Sequence, residues 1–231
     1  MFDNIKAFIK KYNHIWILSY AFIYLAWFTH LEKTVTTDYT PMYCKLDDYI
    51  PFCELFVIPY CIWFLYVCIF VAIFFFLDKK EYYRFCGFLF IGMTICLIIY
   101  TLFPNGQNLR PDTFARDNTL VDIVKSFYAT DTSTNVFPSI HCFNSIAIVV
   151  AVFNSKKLRI FKYYKGLLIG CIFLSTSIML STVFIKQHSI LDMFGAIALS
   201  LCMYPFIYSY SFNNLINKKN ITTENQSIEQ S

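Results

Sequence analysis

The chain has 231 residues, 57 % of them hydrophobic and only 15 % charged, with 26 Phe and 17 Tyr against 6 Gly. This composition excludes an ordinary soluble domain and points to the membrane. The net charge of +4 does not make a nucleic-acid binder, because the basic residues lie in short segments between apolar runs and not on one soluble face.

Taken in chain order, the head "MFDNIKAFIKKY" has no signal-peptide layout and reads as a short amphipathic helix at the interface. Membrane spans are expected over Tyr12–Thr29, Leu55–Leu77, Phe85–Leu102, Ile140–Phe153, Tyr164–Phe184 and Ile190–Tyr210. Crossing takes about 20 apolar residues. The fourth span is short of that, and residues up to Lys156 are expected to lengthen it. The expected fold class is therefore all-α: a polytopic membrane protein with six transmembrane helices in one domain over residues 1–211. A polar, disordered tail is expected over 212–231.

Orientation follows from Lys and Arg. Lys6, Lys10 and Lys11, then Lys79, Lys80 and Arg84, then Lys156, Lys157, Arg159, Lys162 and Lys165, and finally Lys218 and Lys219 all fall on one side of a six-span chain. That side is assigned to the cytoplasm, with both termini, in a multi-pass protein of the cell membrane. The sequons at Asn220 and Asn225 then face the cytoplasm and are expected to be unused. Six Cys within spans serve as small apolar fillers. Cys44 and Cys53 share the first outer loop and are placed to pair if that compartment oxidises. No CxxC or other zinc spacing occurs.

Three polar clusters converge on the outer face: "PNGQNLRPD" with Arg110, "NVFPSIHCFNS" with Ser139 and His141, and "STVFIKQHSILDM" with Lys186, His188 and Asp192. Ionisable groups next to lipid are costly and call for a reason. His188 and Asp192 are four apart and share a helix face. The carboxylate can hold one ring nitrogen and leave the other as base or nucleophile, or the pair can simply pin two helices. Pro138 and Ser139 open a helix, as a cap or as an anion site. Arg110 and Lys186 offer positive charge to an anion or to lipid head groups. Together the set fits phosphoryl transfer without a metal, because no carboxylate cluster suggests one. The loop Asn105–Phe137 covers this face. Its segment "TLVDIVKSFYATD" is expected to form a short helix with Val121, Ile123, Val124 and Phe127 on its apolar side, as a lid or as a fixed interfacial element.

These residues resemble the type 2 phosphatidic acid phosphatase (PAP2) superfamily. Arg110-Pro111 matches the end of its first motif, Pro138–His141 ("PSIH") its second, and His188 with Asp192 its third. The string "STVFIKQHSILD" resembles a bacterial branch close to inositol-phosphorylceramide-synthase-like phosphotransferases. The likeness covers about residues 55–210. It implies a PAP2-like helical bundle in which His188 attacks phosphorus, Asp192 orients it, His141 serves as acid and then base, and Ser139 and Arg110 bind phosphate oxygens. Two family cations are replaced, by Phe103 and Thr182; Lys186 stands two residues before His188 as a substitute. No cofactor or metal is implied.

The expected activity is hydrolysis of a lipid phosphate monoester or diphosphate, with phosphatidate, phosphatidylglycerol phosphate and polyprenyl diphosphate as candidates. The alternative is transfer of the phosphoryl or head group to an alcohol. A third reading is a non-enzymatic membrane protein, which requires that His141 and His188 do not meet around one cavity.

Overall fold

The computed structural model describes residues 11–208, so the expected amphipathic head, the two sequons and the polar tail lie outside the described residues. Helices α1 (Asn13–Thr34), α2 (Glu54–Leu77), α3 (Lys79–Leu102), α4 (Thr119–Thr130), α5 (Ile140–Asn154), α6 (Tyr164–Phe184) and α7 (Ile190–Tyr208) follow in order. Apolar chain in lipid must satisfy its backbone internally, which leaves the helix as the form for such runs. All but α4 and α5 are long and apolar enough to cross a membrane. The remaining structure is loops, short helical turns and one pair of two-residue strands, β1 (Thr40–Pro41) beside β2 (Asn105–Gly106), parallel with Thr40 opposite Asn105.

The short fourth span, α5, is the centre of the bundle. It packs on α2, α3, α6 and α7, and most of its residues are buried, from Ile140 and Phe143 to Ala151 and Val152. A helix walled by other helices need not match the lipid thickness with its own length. It does not run on to Lys156 as expected. Glu81 takes the Ser155 hydroxyl at 2.5 Å and the Lys156 and Lys157 amides at 2.8 and 3.2 Å, drawing the chain off the helix axis. At the other end of α5, the Ser139 hydroxyl caps the helix by accepting the Cys142 amide.

Helix α4 forms where expected. Val121 and Val124 are buried, and Ile123 and Phe127 pack into a cluster with Val57, Tyr60 and Ile185. It is a packed strut across the end of the bundle where α1, α3 and α6 finish. Cys44 and Cys53 are both free thiols. The Cys44 amide instead donates to Asp47. The basic residues of the α2–α3 and α5–α6 connections stand at the opposite end of the bundle from α4.

Close packing of α3 on α5 depends on Gly92, where a Cβ would overlap the Phe143 ring. Gly92→Ala is expected to cost about 1–3 kcal/mol through overpacking. The check is the thermal unfolding midpoint in detergent. It should fall in the single variant and recover in part when Phe143→Leu is added, since the two sites share one contact.

Candidate active site

The chain leaves α6 through a tight turn. Lys186 takes a left-handed backbone conformation (φ 55), and the Gln187 and His188 amides both donate to the Thr182 carbonyl, at 2.9 and 3.0 Å. A Lys in this conformation is strained and persists only where its surroundings impose it. Here the Tyr128 hydroxyl donates to the Ile185 carbonyl at 2.6 Å, Gln107 Nε2 to the Lys186 carbonyl at 3.1 Å, and Lys186 Nζ to the Asp47 carbonyl at 2.8 Å. The Asp47 carboxylate then accepts the Ser189 hydroxyl at 2.7 Å and the Ile190 amide at 2.8 Å, fastening the first outer loop to the head of α7.

That turn delivers His188 to Asp192. Asp192 is fully buried; its Oδ2 accepts the Ser189 amide at 2.9 Å and lies 3.2 Å from His188 Nδ1. A carboxylate on Nδ1 fixes the proton there and leaves Nε2 with a free lone pair. The Ser139 amide donates to the Asp192 carbonyl at 3.1 Å, which ties the start of α5 to the same turn. His141, on the first turn of α5, lies between the Tyr60 and Trp63 rings with centroids 4.9 and 4.1 Å away. Its own centroid is 5.5 Å from that of His188. Both imidazoles line one cavity of about 290 Å³. This is the arrangement that a non-enzymatic reading requires to be absent.

The other sequence-derived candidates surround this core without pointing into it. Ser139 is fully buried as the cap of α5. Arg110 Nη1 donates to the Tyr128 and Asp131 carbonyls at 3.1 and 3.0 Å. Its Nη2 donates to the Asp131 and Thr132 carbonyls at 3.0 and 2.9 Å and to Gln187 Oε1 at 2.6 Å; the buried Nε has no protein partner. Burial lowers the pKa of this guanidinium and of the Lys186 ammonium, whose bond to Asp47 holds it on the far side of the turn. Thr182, in the family's Arg position, is buried and serves the turn through its carbonyl. Phe103, in the Lys position, is 43 % exposed and takes no part.

Several site residues carry no motif and were missed in the sequence. Glu32, from the end of α1, accepts the Thr132 hydroxyl at 2.6 Å, the Thr132 amide at 3.1 Å and Asn135 Nδ2 at 2.8 Å, and so holds the loop ahead of α5. Asp131 lies beside Tyr60. Burial, with Glu32 adding to it, pushes its carboxyl up to about 6. Glu32, Asp131, Tyr60 and Phe127 line a vestibule of about 620 Å³ that shares Phe28, Trp63, Phe64, Asp131, Thr132 and His141 with the inner cavity. Its apolar rim is Phe28 of α1 and Phe64 of α2, the latter 69 % exposed, so the mouth opens sideways between these two helices. The only sequence signal for Asp131 and Glu32 is an acid close to an apolar run.

A family model for the PAP2 superfamily matches residues 81–216, more than half of the chain. The chain belongs to the PAP2 superfamily. No curated protein and no solved structure matches it significantly. The PAP2 match includes Arg110, Ser139, His141, His188 and Asp192 and leaves out α1 and α2, which supply Glu32, Tyr60 and Trp63. The PAP2 segment thus contributes the histidines, and the region before it contributes much of the cavity wall.

The raised Asp131 pKa has a stability consequence with a definite sign. The folded state holds this proton more tightly than the unfolded state, so stability is lost as pH rises from about 4 to about 6. Asp131→Asn removes the charge and is expected to raise the unfolding midpoint at pH 7.5, with the gain vanishing near pH 4. A midpoint series across that range checks it.

Proposed function

We propose that this PAP2 protein is an integral membrane enzyme that transfers the phosphate group of a lipid ester through a phosphohistidine on His188, with water as the first-choice acceptor. The observation that supports this most is the Asp192–His188–His141 arrangement around one cavity at the end of the bundle. In this reading Asp192 keeps the Nδ1 proton in place and stabilises the imidazolium that forms as Nε2 attacks phosphorus. His141 protonates the departing lipid alcohol and then takes the proton from the incoming water. Arg110 acts on the phosphate through Gln187, whose amide it orients. Ser139 holds the α5 start against Asp192, and Lys186 sets the turn. No metal takes part.

Transfer to an alcohol is a second reading, supported by the apolar mouth between α1 and α2, a path along which an amphiphilic alcohol can reach His188. We infer placement in the cell membrane with both termini in the cytoplasm and the site on the outer face, a reading supported by the basic residues of the α2–α3 and α5–α6 connections at the end away from the site.

Purified wild type, His188→Ala and Asp192→Asn, assayed in detergent with EDTA against a panel of lipid phosphate esters, test the proposal. Wild type should turn over at least one lipid. His188→Ala should abolish turnover, and Asp192→Asn should lower kcat by roughly 10²–10⁴-fold through loss of the correct tautomer. Turnover that survives in His188→Ala would overturn the assignment.

A further inference from the structure

The end of the bundle away from the histidines carries a surface that the proposed chemistry does not use. The connection between α5 and α6, with the first turn of α6, holds Lys156, Lys157, Arg159, Lys162 and Lys165, and no Asp or Glu occurs between residues 155 and 165. All five cations are exposed. The two acids at the adjoining start of α3 face backbone amides instead. Glu81 accepts the Ser155 hydroxyl and the Lys156 and Lys157 amides, and Asp78 accepts the Lys80 and Glu81 amides. Among the described residues, no carboxylate lies in ion-pair range of any of the five cations.

The same short stretch exposes large apolar side chains. Ile160 is 81 %, Phe161 61 % and Tyr163 76 % exposed, while Leu158 is buried and Ser155 is held by Glu81, so the chain is anchored with these three outward. The Arg159 guanidinium lies 5.6 Å from the Phe153 ring centroid, and Lys162 Nζ lies 5.5 Å from that of Tyr163. Exposed apolar groups among unpaired cations suit neither water nor the lipid core. Water leaves the apolar area unburied, and the core leaves the charge unsolvated. A head-group layer suits both. There the apolar groups reach the acyl boundary, and the Lys and Arg stems lift their charges to the phosphates. A surplus of positive charge with no acid beside it selects head groups of net negative charge.

We propose that the α5–α6 connection is a binding site for anionic lipid, with its cations on the head-group phosphates and Ile160, Phe161 and Tyr163 in the acyl boundary of the leaflet at that end. The site is separate from the two histidines and does not depend on their chemistry. It joins the central helix α5 to α6, two helices that pack along each other. Lipid held there by the folded chain alone stabilises that chain by mass action.

The test follows the thermal unfolding midpoint of the full chain in a neutral detergent, titrated with mixed micelles of phosphatidylglycerol or of phosphatidylcholine. Phosphatidylglycerol should raise the midpoint by several degrees, and phosphatidylcholine should leave it in place. A variant with Lys156, Lys157, Arg159, Lys162 and Lys165 each changed to Gln should match the wild type without lipid and bind phosphatidylglycerol roughly 10²-fold or more weakly. Ile160→Ser combined with Phe161→Ser keeps the charge and should weaken binding roughly tenfold. Sodium chloride at about 0.5 M should weaken the wild-type response several-fold, a reading that stands even where a variant fails to fold. No shift with phosphatidylglycerol, an equal shift with phosphatidylcholine, or a shift unmoved by salt would overturn the proposal. A response that survives in the five-cation variant would overturn it by placing the lipid elsewhere, at the vestibule. A response unchanged in the Ile160 and Phe161 variant would overturn it too, leaving a solvated basic surface open to an acidic protein.

Discussion

A carboxylate with no exposed surface sits in the first turn of α7, and the site is organised around pairing one of its oxygens, Oδ2, while Oδ1 is buried without a protein partner. Asp192 takes the Ser189 amide and faces His188 Nδ1. A buried ionised group without partners is costly enough to be lost or neutralised. Meeting that demand at this place fixes the α6–α7 turn, the tautomer of His188 and, through the Ser139 amide on the Asp192 carbonyl, the start of α5 with His141. The geometry of the two histidines is thus a consequence of where one carboxylate had to be paired.

The outer loops act as fasteners for the same turn. Asp47 reaches it from the first loop, Gln107 and Tyr128 from the second, and Arg110 gathers the carbonyls that follow α4. Glu32 binds the next few residues to α1. Loops that only covered a site would be free to move. These are joined to the turn that carries His188 by short polar bonds, many of them partly or fully buried, which restrains it as the proposed transfer chemistry requires. The strained Lys186 backbone is a sign of the same restraint.

Much of this was legible in the chain. Long apolar runs gave the spans, and the His-x-x-x-Asp spacing with the Pro-Ser-Ile-His string gave the candidate residues that the fold brings around one cavity, because those signals are local. The short fourth span was hard to read because length rules describe a helix surrounded by lipid, whereas α5 is surrounded by protein. Arg110 was read as a phosphate ligand from its charge and its motif position, and Lys186 from its charge and as a substitute for a missing family cation; which carbonyls they serve depends on contacts spanning many residues. Asp131, Glu32, Tyr60 and Trp63 have no spacing signal, since the cavity is assembled from α1, α2 and a loop far apart in the chain. Asp47 was equally silent, being one acid in an acidic loop.

The account depends on His188 forming a bond to phosphorus. The most direct measurement is to mix the wild type with the lipid substrate it turns over. The mixture is then quenched in alkali and the peptides mapped by mass. The account predicts an acid-labile phosphoramidate adduct on the peptide carrying His188, absent from His188→Ala. An adduct on another residue, or turnover in the wild type with no adduct under the same quench, would contradict it.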